Sequence, residues 1–406
     1  MRVSAPFFSA RSGVRNGLGT GLRTWAVLAA LILPGCNGCR KEPPDTDTDP
    51  IGVDPVADPH DIGSWLSMGV MPDGRPAISF YDRTSDALGF AIGTLNDGAV
   101  TWAIEQVDSY PDATGLNPGD AGKYSAMAVA TDGTVWVVYQ DSSNGVLKYA
   151  TRAPTGAWAI GNADTGGGPS FDSGYWASIA IDPSGNPVAA HYDAAKGALR
   201  VARWTGTAFT AAVVYEGTDS TSTDTAVDAV PGNAGEYTQI VIAADGTEYI
   251  AFYDRAWGAL RLASGNVGGY SIEVVDETGD VGQWPDLLVD GASIAMSYHD
   301  VTNGDLKLAT GRAGGPWDLE TVDTGDHVGA DSAIYGSGSA PGIVYFDGAN
   351  NDMKLARESS GSWALETVGV TGAAVGFHNE TVEIEGVRYV ASYDYTNRTV
   401  WFSALP

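Results

Sequence analysis

Residues 293–309 read SIAMSYHDVTNGDLKLA, and the fold follows from this stretch. Ile294, Met296 and Tyr298 alternate with smaller or polar neighbours, which is the period of a strand with two unlike faces. Asp300 to Gly304 (DVTNG) supplies the Asp, Asn and Gly that tight turns use. Leu306 to Ala309 then reads as a returning strand. Working outward, Trp284 to Asp290 reads as a strand before this hairpin and Trp317 to Val322 (WDLETV) as one after it. Turn-rich GRAGGP separates the last two. The unit is therefore four short strands in chain order.

The same frame recurs along the chain. A Gly stands at 63, 122, 174, 235, 282, 329 and 376, and an Asp at 82, 141, 193, 254, 300, 347 and 394. They are 19 residues apart in the first four units and 18 in the last three. Six residues after each Asp comes Leu88, Leu147, Leu199, Leu260, Leu306, Met353 or Val400. Three further on comes Ala, or Ser403 in the last unit. Repeats of four strands at this period predict an all-β, seven-bladed β-propeller over residues 51–406, with four-stranded antiparallel blades. The seventh unit stops at Pro406 after its third strand. Residues 51–54 follow the pattern that ends unit five, so they are expected to supply the missing outer strand and close the ring.

Composition agrees. Gly is abundant at 53 of 406 residues, 44% of the chain is apolar, and long helical periodicity is absent. Fifty acidic against 22 basic residues give a net charge of −28. Such a surface repels phosphate backbones, which argues against nucleic acid as a partner. Cys36 and Cys39 are the sole cysteines, so no disulfide framework supports the repeats.

The N-terminus reads as an address. Residues 1–24 carry only positive charge, and WAVLAALIL (25–33) is an apolar run too short to span a bilayer. It ends in Leu33-Pro34-Gly35-Cys36, which resembles the bacterial lipobox. That resemblance implies a lipoprotein signal peptide over 1–35, acylation of Cys36, and placement at the outer membrane or surface of a Gram-negative-type bacterium. Residues 36–50, with PPDTDTDP, read as a polar tether.

YWASIAIDPSGNPVAAHYDAAKGALRVA (175–202) and SIAMSYHDVTNGDLKLA (293–309) resemble a bacterial family of BNR and sialidase-like propellers. The resemblance implies the fold. Function has to be argued from the site.

Positions that are alike in every blade read as structure, so function is sought where the pattern breaks. Two residues after each Gly stand Trp65, Tyr124, Trp176, Tyr237 and Trp284, and then Asp331 and His378. This position opens the innermost strand, beside the channel mouth. The aromatic arc offers faces on which sugars stack. Asp331 and His378 are placed to hydrogen-bond, which would orient the imidazole as a general base. His191 and His299 are further catalytic candidates, and Arg255 a further ligand-binding one. The Asp-rich segment 219–228 offers oxygen ligands to Ca2+, the one cofactor weighed. Long connections at 109–122, 165–174 and 217–235 add asymmetry.

Three functions remain open. The first is a monomeric recognition module for a glycan or surface protein, held to the membrane only through its lipid. The second is a carbohydrate-active enzyme, either a polysaccharide lyase or a glycoside hydrolase. The third is a structural envelope scaffold. Binding is favoured over catalysis.

Overall fold

The computed structural model describes residues 60–96, 98–109, 119–166, 172–217, 233–337, 340–369 and 372–406. These residues form seven antiparallel sheets, with no helix among them. In the fifth, Val281–Asp290, Ser293–Asp300, Asp305–Gly311 and Asp318–Asp323 pair in chain order. The first strand starts three residues earlier than the sequence suggests, because it includes the repeated Gly. The first strands of successive blades contact one another in a closed cycle, the seventh against the first. The molecule is a seven-bladed β-propeller. Among the described residues the last blade has three strands, Val375–Ile384, Val387–Asp394 and Thr399–Ala404. The strand expected at 51–54, the signal segment 1–35, the tether 36–50 and Cys36 lie outside the described residues.

Burial explains why the strands differ in pattern. Second strands pack between neighbouring blades, and Val135–Asp141 (VWVVYQD) is buried throughout. Outer strands have one solvent face, and Ser362–Val368 (SWALETV) is largely exposed. The apolar core therefore lies in the seams. One cluster joins Leu260 and Leu262 of the fourth blade to Met296 and Tyr298 of the fifth.

The repeated Gly and the repeated Leu are seam partners. Gly235 has φ +116°, and a Cβ there would lie 2.7 Å from the Cα of Leu199 in the preceding blade. Gly282 stands in the same way against Leu260, and Gly63 against Val400. The repeated Asp holds the adjacent turn. Asp300 accepts the Asn303 backbone N–H at 3.0 Å and its side-chain amide at 2.9 Å.

Two polar clips recur across the seams. Toward the outer strands, Asp276 accepts the Tyr298 hydroxyl at 2.8 Å and the Lys307 ammonium, and Asp323 is held in the same way by Tyr345 and Lys354. Nearer the axis, the tyrosine before the repeated Asp donates to the residue two before the next Gly. Examples are Tyr253 to Asp280 at 2.6 Å and Tyr81 to Asp120 at 2.9 Å.

Candidate functional site

Every blade carries a bulge just after its repeated Gly. In the first blade the pairing runs Ile62 with Asp82, Ser64 with Tyr81, then skips to Ser67 with Ser79. The residue in the gap takes left-handed backbone geometry in all seven blades: φ is 46° at Trp65, 51° at Tyr124, 44° at Trp176, 53° at Tyr237, 47° at Trp284, 50° at Asp331 and 52° at His378. A residue with a Cβ pays roughly 1–2 kcal/mol for that conformation. Neighbouring blades hold it in place. Ser125 Oγ donates to the Trp65 carbonyl at 2.7 Å, Ser332 Oγ to that of Trp284 at 2.9 Å, and Asn379 Nδ2 to that of Asp331 at 2.9 Å.

The bulge aims these side chains at the axis, on the face that carries the blade-to-blade crossovers. They meet as a belt. From Trp65 through Tyr124, Trp176 and Tyr237 to Trp284, successive ring centroids are 4.8–5.5 Å apart with tilted planes. His378 extends the belt, 5.9 Å from Trp65. Each of these rings is half-buried, so each keeps some face in water. The sequence reading thus assembled one continuous arc, and the structure brings all seven positions together.

The expected Asp331–His378 hydrogen bond is not made. Nδ1 and Oδ1 are 3.7 Å apart, beyond hydrogen-bond range. Burial, with a smaller effect from the Arg83 charge, pushes the His378 imidazole down to about 3, so it is neutral and a weak base at physiological pH.

The other expected catalytic histidines sit elsewhere. His191 is fully buried in the seam between the second and third blades. There it replaces the tyrosine of the outer clip: its Nε2 meets Asp164 at 3.1 Å, its Nδ1 meets Ser173 Oγ at 3.2 Å, and Arg200 grips the same Asp164 through two nitrogens. Ser-His-Asp is the order of an acyl-transfer triad, yet Ser173 and His191 are both 0% exposed and no substrate reaches them. His299 is also sealed, behind Trp284 at 5.7 Å, and neither ring nitrogen has a partner. Burial pushes it down to about 4. Its place in the frame faces His327, where three other seams put a tyrosine against an aspartate.

Arg255 lies at the mouth but is committed. Glu236 accepts from its Nε and Nη2, both at 2.6 Å. Two acids that the sequence reading missed line the same channel. Asp286 and Glu380 stand four residues after their Gly, two beyond the belt position. Burial, then the charge of Asp286, raises Glu380 to about 8. Burial also raises Asp286, which accepts Gln239 Nε2 at 2.7 Å and the Ile334 N–H at 2.7 Å. Comparing that register position across blades would have found them, since the others carry Ser67, Ala126, Ser178, Gln239 and Ala333.

The segment 219–228 weighed for Ca2+ lies outside the described residues. Among those described, no group of three or more His, Cys, Asp or Glu is placed to hold a metal ion.

No protein-family model matches the chain, and no curated protein matches it. Solved structures do. Polysaccharide lyase Uly1 aligns with a TM-score of 0.51 at 10% identity, over 84% of this chain and 89% of its own. Dihydro-heme d1 dehydrogenase NirN in complex with DHE aligns at 0.49 and 12%, over 83% and 66%. An Aleuria aurantia lectin in complex with alpha-methyl-L-fucoside aligns at 0.46 and 14%, over 77% and 99%. Likeness at this identity concerns the fold.

Proposed function

We propose that this protein is a recognition module that binds a glycan at the crossover-face mouth of its channel. One observation carries the reading. Seven positions accept left-handed strain, and none is relaxed to Gly, the residue that would adopt it freely. Five of the seven keep a large aromatic ring, joined side by side and partly wet. Sugar rings present C–H faces that stack on such surfaces, and indole N–H and phenol O–H groups add hydrogen bonds. The fold likeness to a polysaccharide lyase is compatible with this use of the scaffold.

The test is a glycan array probed with the full chain, followed by titration of any hit. Binding is expected, and Trp176→Ala should abolish it while Trp363→Ala, on an outer strand, should not. Equal loss in both variants would remove the belt as the site.

A carbohydrate-active enzyme is the second reading, supported by Asp286 and Glu380. A carboxyl raised to about 8 holds its proton at neutral pH, as a general acid must. Turnover of a polysaccharide panel, lost in Glu380→Gln, would favour it.

For placement we infer a lipid-anchored envelope protein, on the strength of the apolar run 25–33 and Leu33-Pro34-Gly35-Cys36. Metabolic palmitate labelling that persists in Cys36→Ser would exclude that anchor.

A further inference from the structure

The belt has a charged edge. Arg83 follows the repeated Asp82 of the first blade, on the crossover face. Its guanidinium carbon lies 5.9 Å from the Trp65 ring centroid, and its Nη1 reaches Ser64 Oγ at 3.4 Å. Lys123 approaches the same indole at 6.0 Å and the Tyr81 ring at 5.6 Å. Three cations therefore stand at the mouth of a chain whose net charge is −28. They are not equivalent. Arg255 is clamped by Glu236 through two hydrogen bonds, and Lys123 pairs with Asp120 at 2.8 Å. No described carboxylate lies within ion-pair distance of Arg83, and the side chain is half-buried beside Trp65 and His378.

We propose that the glycan is acidic, and that its carboxylate or sulfate group docks on Arg83 while an adjoining sugar ring lies on Trp65. This rests on the belt being the glycan site. The guanidinium is a planar fork of donors that matches a two-oxygen anion, and stacking beside an indole leaves its N–H edge directed outward. Elsewhere the acidic surface repels an anionic polymer, so attraction is confined to this edge. The neutral imidazole of His378 beside it adds no competing charge.

The experiment compares matched ligands on the full chain by calorimetric titration: oligogalacturonate against its methyl ester, and a sulfated galactan oligomer against its desulfated form. The charged member of at least one pair is expected to bind about tenfold or more tightly than its neutral counterpart, the scale of one charge-assisted contact. Which pair responds tells carboxylate from sulfate. Arg83→Gln should erase the difference and leave the neutral affinity, Arg83→Lys should restore part of it, and Arg75→Gln, the same charge change in a turn of the first blade, should alter nothing. Equal binding of charged and neutral forms, with loss of both in Trp65→Ala, would overturn the anion subsite and keep the belt. Charge preference that survives Arg83→Gln would also overturn it. Absence of binding to every neutral and charged oligomer would overturn both.

Discussion

Tyr393 donates a 2.6 Å hydrogen bond to Asp61, 332 residues earlier in the chain. It is the same bond that Tyr253 makes to Asp280 between two consecutive blades. The junction between the last blade and the first is therefore built like an ordinary seam. The Ile62 N–H adds a 3.2 Å bond to the Arg398 carbonyl, and Gly63 packs against Val400.

Removing that hydroxyl weakens closure. Tyr393→Phe is expected to lower stability by about 1 kcal/mol, the net value of one hydrogen bond, read as a shift in urea midpoint. Phe346 holds the same place in the sixth blade and faces Ala374, so a phenyl ring fits the position itself. An unchanged midpoint in Tyr393→Phe would show that closure does not depend on the bond.

The repeated Gly supports a sharper contrast. Gly235→Ala puts a Cβ 2.7 Å from the Leu199 backbone at φ +116°. Neither blade can yield without opening the seam, so a loss of about 4 kcal/mol or more is expected. Gly185→Ala has left-handed geometry too, with φ +86°, but open space around it. It should cost only about 1–2 kcal/mol. Similar losses in thermal melts of the two variants would refute the close-approach explanation.

These contacts also explain what could be read from the sequence. Gly, Asp and Leu recur because each makes one seam or turn contact in every blade, and seven copies make a register visible. The belt at Trp65 to His378 was legible for the same reason, as one position filled differently. His191 was misleading because it replaces a tyrosine in a buried clip, and its partners Asp164 and Arg200 belong to different strands. Glu380 and Asp286 were missed because their significance comes from burial and from each other, and only a comparison of that register position across blades marks them in the sequence. The left-handed φ at Trp176 could not be foreseen from Trp, a residue that rarely adopts it.

The outer clips predict acid sensitivity. Burial alone would raise Asp276 and Asp323, yet Lys307 with Tyr298 and Lys354 with Tyr345 more than offset it, and both carboxyls are lowered. A lowered folded-state pKa gives stability that is present above the unfolded value, about 4, and lost as pH falls. Wild-type stability should therefore decline between about pH 5 and about pH 2. The Asp276→Asn, Asp323→Asn double variant should be weaker at neutral pH and decline less over that range. Parallel curves for the two proteins would exclude the clips as the acid-sensitive element.

Glu380 predicts the opposite trend on the alkaline side. Its carboxyl is raised to about 8 by burial and then by the Asp286 charge, so the folded protein keeps a proton that the unfolded chain has released. Stability tied to this proton is full below the unfolded pKa, about 4.5, and is lost as pH rises toward 8. Glu380→Gln keeps the size and cannot ionise. It should match wild type near pH 4 and exceed it at pH 9, by on the order of 1–2 kcal/mol because the side chain is only half-buried. Asp286 also faces Gln239 and the Ile334 N–H, whose bonds hold it in place in either protein. Thermal melts across that range decide the point: a Glu380→Gln curve parallel to wild type would mean that the channel acid is already ionised and well solvated at neutral pH, and it would withdraw Glu380 as a proton-holding group.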